Sequence, residues 1–106
     1  MHEPIAGPSG PGSVVLDLGD DVGALVLETP AALLGREIEI SPVGGVMAAG
    51  RTHSLVRERR TAAGPSYAAV YPGLVAGRYL VWGHADTPVG EVSIDGGGVT
   101  RFRWPD

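Results

Sequence analysis

Chemistry in this chain could be carried by His53 and His84, by the arginines at 57 and 59, and by the ring of Trp82. Two imidazoles and a guanidinium are the parts of a hydrolytic site. Imidazole exchanges protons near neutral pH, and a guanidinium grips a carboxylate or oxyanion through two parallel hydrogen bonds. The spacing alone does not assemble such a site. No two histidines sit at i, i+2 or i+4, nothing resembles HExxH, and His2 lies among the first residues. A local metal-ligand signal is missing. Only convergence in space, within about 5 Å, would make His53 and His84 a working pair. The expectation is a surface or strand-end position for each, with no catalytic residue, no metal and no cofactor.

Arg57-Glu58-Arg59-Arg60 is the densest basic run, with Arg51 close in sequence. A strand over Thr52 to Arg60 sends His53, Leu55, Arg57 and Arg59 to one face and Ser54, Val56, Glu58 and Arg60 to the other. Both faces turn polar toward its end, as on an edge strand whose charges block edge-to-edge pairing. Glu37 and Glu39 are candidate cross-strand partners. The functional alternative is an anion or acidic-partner patch on Arg57 and Arg59. Trp82 alternates with Tyr79 along one strand, so one of the two rings faces outward. An exposed Trp82 beside His84, or Trp104 near the end, could form a platform for a sugar or a partner. Arg57, Arg59, Trp82 and His84 are therefore the candidate binding residues. Asp17, Asp20 and Asp21 lack the D-x-D-x-D-G spacing of a calcium loop and read as a solvated hairpin. The serines lie in no nucleophile-elbow setting, and the glycine runs at 44–45 and 96–98 precede no helix that could hold a phosphate.

The elements that must position these residues are short. Seventeen Gly and nine Pro fall between apolar runs, which is the punctuation of an all-β domain. Strands are expected at Ser13–Leu18, Val22–Glu28, Arg36–Ser41, Thr52–Arg60, Ser66–Tyr71, Arg78–Trp82, Glu91–Ile94 and Val99–Trp104, enough for a seven- to eight-stranded antiparallel sandwich. In Arg36-Glu37-Ile38-Glu39-Ile40 the isoleucines share one face and the glutamates the other. Asp95-Gly96-Gly97-Gly98 reads as the turn of a hairpin, and Leu18 to Gly23 as another. One helical turn is expected over Pro30 to Gly35, capped by Thr29. Residues 1–12 read as a tail, 13–106 as a single domain, and Val43 to Gly50 as a loop.

The chain has 106 residues, and a net charge of −4 from 8 basic and 12 acidic side chains. Every basic residue is Arg, and Lys, Asn, Gln and Cys do not occur, a composition typical of GC-rich genomes. Without cysteine there is no disulfide or thiolate staple, so packing and backbone pairing must hold the fold. An acidic balance argues against nucleic acid, whose phosphates demand clustered cations. No apolar run approaches a membrane span and no leader pattern opens the chain, so a soluble cytoplasmic protein is expected. The partner is expected to be another protein or a small ligand, and a homodimer through a sheet face or edge is a further option.

Tyr71, Pro72, Leu74, Gly77 and Tyr79, followed by Val81, make the pattern Y-P-x-L-x-x-G-x-Y-x-V. This resembles the signature of prealbumin-like sandwiches, including the carboxypeptidase regulatory-like and collagen-adhesin B-type repeats. The resemblance implies a small bacterial β-sandwich with a corner at Gly77-Arg78-Tyr79, and a non-enzymatic binding or accessory module. It also implies an alternative, a transthyretin-type hydrolase using His53, His84 and Arg57. The C-terminal Arg101 to Asp106 does not resemble the tail of the hydroxyisourate hydrolases of that group, and a carbohydrate-binding module on Trp82 and Tyr71 is the third reading.

Overall fold

Alternating apolar and polar residues become eight strands in a computed structural model that describes residues 21–43 and 51–105. They are β1 (Val22–Thr29), β2 (Glu37–Pro42), β3 (Thr52–Leu55), β4 (Arg57–Thr61), β5 (Gly64–Val75), β6 (Gly77–Trp82), β7 (Pro88–Ile94) and β8 (Val99–Arg103). Two four-stranded sheets result, ordered β4-β5-β1-β8 and β3-β2-β6-β7. The connections β1 to β2, β3 to β4, β5 to β6 and β7 to β8 cross between sheets, whereas β2–β3, β4–β5 and β6–β7 are antiparallel neighbours within one. The expected strand Ser13–Leu18, the tail and most of the Val43–Gly50 loop lie outside the described residues.

The alternation at Glu37 to Ile40 is realised directly: Ile38 and Ile40 are buried and pack with Leu25, Leu27, Val81 and Val92 between the sheets. Three expectations need correction. The sandwich is not purely antiparallel, because β8 lies parallel to β1 from Ala24↔Val99 to Glu28↔Arg103. The expected Asp95–Gly98 hairpin is instead a crossing from β7 to β8. Its glycines bond to β1 rather than closing a ladder on β7, with Gly97 N–H donating to the Val22 carbonyl and the Gly98 carbonyl accepting from Ala24 N–H. Thr52–Arg60 is two strands in different sheets. Val56, 1% exposed, is the pivot, and its N–H and C=O pair with the Arg36 carbonyl and Gly35 N–H. Both halves are edge strands, as the charge pattern implied.

The Tyr67 to Gly83 segment makes its corner later than the Pro72-Gly73 pair suggests. β5 runs through to Val75, and Pro72-Gly73 oppose the single residue Ala24 in a bulge. Proline is tolerated there because β4 pairs only with Gly64 to Ala68, leaving that edge of β5 without a partner strand. The chain then turns at Gly77, whose φ of +147° disfavours a side chain. The single turn of 3-10 helix, Ala31–Leu33, is capped by Pro30 and not by Thr29, which ends β1. Among the described residues no helix is long and apolar enough to cross a membrane.

Two tyrosines bind the layers. Tyr71 Oη donates to the Ile38 carbonyl across the sandwich at 2.5 Å, and Tyr79 Oη donates to the Val75 carbonyl over the corner at 2.7 Å. Burial raises both phenols above the ordinary pKa of 10.0. The unfolded Tyr71 phenol ionises near pH 10 while the folded one keeps its proton. Stability is therefore complete below about pH 10 and falls above it, by about 1.4 kcal/mol per pH unit while the Tyr71 phenol is held neutral. Urea midpoints measured between about pH 8 and 11.5 should decline over the upper part of that range. The decline should be shallower in Tyr71→Phe, and an identical slope in the variant would refute the assignment.

Candidate functional site

Trp82 points away from the core, as its alternation with the buried Tyr79 and Val81 requires. Its indole N–H donates to Ser41 Oγ at 2.8 Å, and the Arg51 guanidinium lies 4.1 Å from the ring centroid. Arg51 is held there by Glu39 at 2.7 Å and Asp86 at 3.0 Å, and these two bonds raise its pKa further above the ordinary value. Asp86 reaches it from the turn His84–Asp86, where Ala85 and Asp86 both take φ of +58°, a left-handed conformation unfavourable to side chains. A guanidinium fixed by two carboxylates thus covers one face of Trp82. Tyr71 is 3% exposed. Of the two rings in the expected sugar platform, Tyr71 is core and Trp82 faces outward.

His84 lines a cleft of about 260 Å³ with Trp82, Trp104, Arg36 and Glu37. His53 and Arg57 line no part of it: His53 sits on β3 opposite Glu39, and Arg57 on β4 opposite Ala68 in the other sheet. The break at Val56 separates the histidine from the arginine that the hydrolytic reading needs beside it. Among the described residues, no three His, Asp or Glu side chains are grouped to hold a metal.

The larger concavity arises from strands of unequal reach. β1 ends at Thr29, where Pro30, which has no N–H for the ladder, turns the chain toward the second sheet. Its neighbour β5 begins earlier, at Gly64, whereas Trp104, just after β8, is level with Thr29. The last rungs are Thr29↔Tyr67 and Glu28↔Arg103. A cleft of about 410 Å³ at this end of the sheet is lined by Pro65, Ser66 and Tyr67, by Arg103 and Trp104, and by Glu28 to Ala31. Trp104 N–H donates to the Glu28 carbonyl at 2.7 Å, and its ring borders both clefts.

Charge is distributed unevenly around this cleft. The strands of the first sheet carry Arg57, Arg59, Arg60, Arg101 and Arg103 against only Glu28 and Glu58. Arg60 pairs with Glu58 at 3.6 Å and Arg101 with Glu28 at 2.9 Å. Arg57, Arg59 and Arg103 have no carboxylate partner among the described residues. Glu37 and Glu39, expected to serve Arg57 and Arg59, stand in the second sheet, where Glu39 holds Arg51. Arg59 Nε is shut off from solvent and has no acceptor among the described residues. An unpaired buried donor costs about 1–3 kcal/mol, more when charged. Of the residues named from sequence, Trp104 lines both clefts and Trp82 and His84 the smaller one, whereas Arg59, opposite Ser66 on β4, and Arg57 line neither. Tyr67 and Arg103 were not singled out as contacts. Pro30 directly after an apolar strand was the available signal, and it reads equally well as a helix start.

No family model, no curated protein and no solved structure matches the chain. Function is read from the geometry above.

Proposed function

We propose that the protein is a non-enzymatic binding module on a prealbumin-like sandwich, with its ligand site in the cleft where β1 leaves the first sheet. The observation that carries this reading is the cleft of about 410 Å³ at the end of β1, bordered by the two aromatic residues Tyr67 and Trp104. Tyr67 and Trp104 offer a ligand apolar surface there, beside the polar side chains of Glu28, Ser66 and Arg103. The prealbumin-like reading is supported by two four-stranded layers and by the Leu74, Gly77 and Tyr79 corner. His84 without His53 and Arg57 in its cleft gives the hydrolase no comparable support.

The test is an amide-proton NMR titration with a blocked peptide, acetyl-Thr-Val-Tyr-Val-amide. Shift changes should be confined to residues 28–31, 65–67 and 103–104 and to the Trp104 indole N–H. A dissociation constant on the order of 1 mM suits so short a segment. Trp104→Ala should abolish the response. Changes centred on Trp82 to Asp86, or none at all, would count against the cleft.

A further inference from the structure

We infer that the outer face of the first sheet is a docking surface for an amphipathic helix whose apolar stripe is flanked by carboxylates. Ala24-Leu25-Val26-Leu27 in β1 and Ala68-Ala69-Val70-Tyr71 in β5, the two central strands, are apolar without a break. Leu25, Leu27, Ala69 and Tyr71 belong to the core. The side chains between them, Ala24, Val26, Ala68 and Val70, therefore point to the outside of the sandwich. β2 keeps to the usual alternation at the same positions, with Glu37, Glu39 and Ser41 outward of Ile38 and Ile40. An unbroken apolar run is the mark of a strand covered on both faces. Among the described residues the sandwich supplies one layer only, the second sheet. Val75 and Val99, 64% and 50% exposed, continue the same outer face on the rungs to Val22 and Ala24.

Arginines rim this apolar floor on both sides. On β4, Arg57 is level with Ala68 and Arg59 with Ser66; on β8, Arg101 is level with Val26 and Arg103 with Glu28. All four point outward, and the one carboxylate among them, Glu28, holds Arg101 at 2.9 Å. Four guanidinium groups against one carboxylate leave this face at +3 on a chain of net charge −4. The rims stand three strand spacings apart, about 14 Å, and a helix with its side chains is about 10–12 Å across. A helix therefore fits between them. The backbone groups of β1 and β5 are spent on their ladders, so an extended segment laid on the face would bury its own N–H and C=O groups unpaired. A helix satisfies them internally. A symmetric pair of these faces is disfavoured, because each copy brings the same positive charge. Tyr67, Tyr71 and Phe102 pack on the core, so the rings of these strands offer no outward platform for a nucleic-acid base.

The face meets the cleft at the end of β1 only at Glu28, Ser66 and Arg103, and none of these is altered in the test. Valine and leucine methyl groups are followed by NMR while a blocked peptide of about four helical turns is added, with Leu along one stripe and Glu on both flanks. A second peptide carries Lys in place of Glu. The Glu peptide should shift the methyls of Val26, Val70 and Val99 and leave those of Leu25 and Leu27 in place. Its affinity should fall about tenfold in Arg57→Gln/Arg59→Gln, the loss of two exposed ion pairs, and should fall as salt rises. That variant should keep the parent urea midpoint, which separates lost docking from lost folding. Val26→Thr/Val70→Thr, which keeps β-branched residues in both strands, should weaken binding by a similar factor. Equal binding of the Lys peptide, or no shift at the outward valines with either peptide, overturns the proposal. So do outward-valine shifts that grow with protein concentration alone, which give the face to a second copy. Nuclear Overhauser contacts from those valines to residues 1–20 in the free protein give it to the chain itself and overturn the proposal too. Tighter binding of a single-stranded oligothymidylate than of the Glu peptide overturns it in favour of nucleic acid.

Discussion

Tyr71→Ala is expected to remove about 3–5 kcal/mol from the free energy of unfolding, a large fraction of the roughly 5–15 kcal/mol of a typical domain. The ring sits in the core between the sheets, and its hydroxyl is the donor to the Ile38 carbonyl on the opposing layer. Alanine removes the ring and leaves a cavity, and it also orphans that carbonyl. Tyr71→Phe separates the two effects, because it keeps the ring and loses only the bond, for about 1–3 kcal/mol. Urea unfolding followed by circular dichroism measures both. A Phe variant as damaged as the Ala variant would mean that the hydroxyl, not the ring, dominates, contrary to the packing described above.

The second large effect is at Gly23. A β-carbon there would overlap the Asp95 carbonyl oxygen and press on Ile94 Cγ2 and the Gly98 carbonyl oxygen. Two of those three atoms belong to the backbone of the β7-to-β8 crossing, which cannot swing aside as a side chain can. Gly23→Ala should therefore cost about 3 kcal/mol or more, the upper range for overpacking. Gly73 is the internal control. Its added carbon would meet only Val22 Cγ1 at 3.7 Å, an ordinary contact, so Gly73→Ala should shift the urea midpoint little. Comparable losses at the two positions would show that the crossing does not press on β1 as described.

The parts of this fold that could be read from sequence are those settled by local rules. Glu37 to Ile40 alternates because one face of β2 is buried, and that period is visible in any window that contains it. The corner at Gly77 and Tyr79 was legible because a positive φ and a ring needing a partner for its hydroxyl leave residue-type signatures. The crossings were not legible. Val56 fits an uninterrupted alternation over Thr52 to Arg60, so nothing local marks it as the residue where the chain changes sheets. Asp95 to Gly98 has turn chemistry that serves a hairpin or a crossing equally. The choice is made by pairing with β1, some seventy residues earlier in the chain. The candidate site was illegible for the same reason: its lining comes from the ends of β1, β5 and β8, which are far apart in sequence and meet only through pairing.

The parallel pairing of β1 with β8 also has a mechanical meaning. These are the first and last strands of the described fold, and they lie side by side in the same direction over the rungs from Ala24↔Val99 to Glu28↔Arg103. Tension applied from before β1 to after β8 pulls the two strands past one another along their length, so all the rungs between them carry the load together. An antiparallel pair at the same place would open like a zipper, one rung at a time. The same two strands would therefore resist a pull along their length more strongly than a pull that peels one from the other.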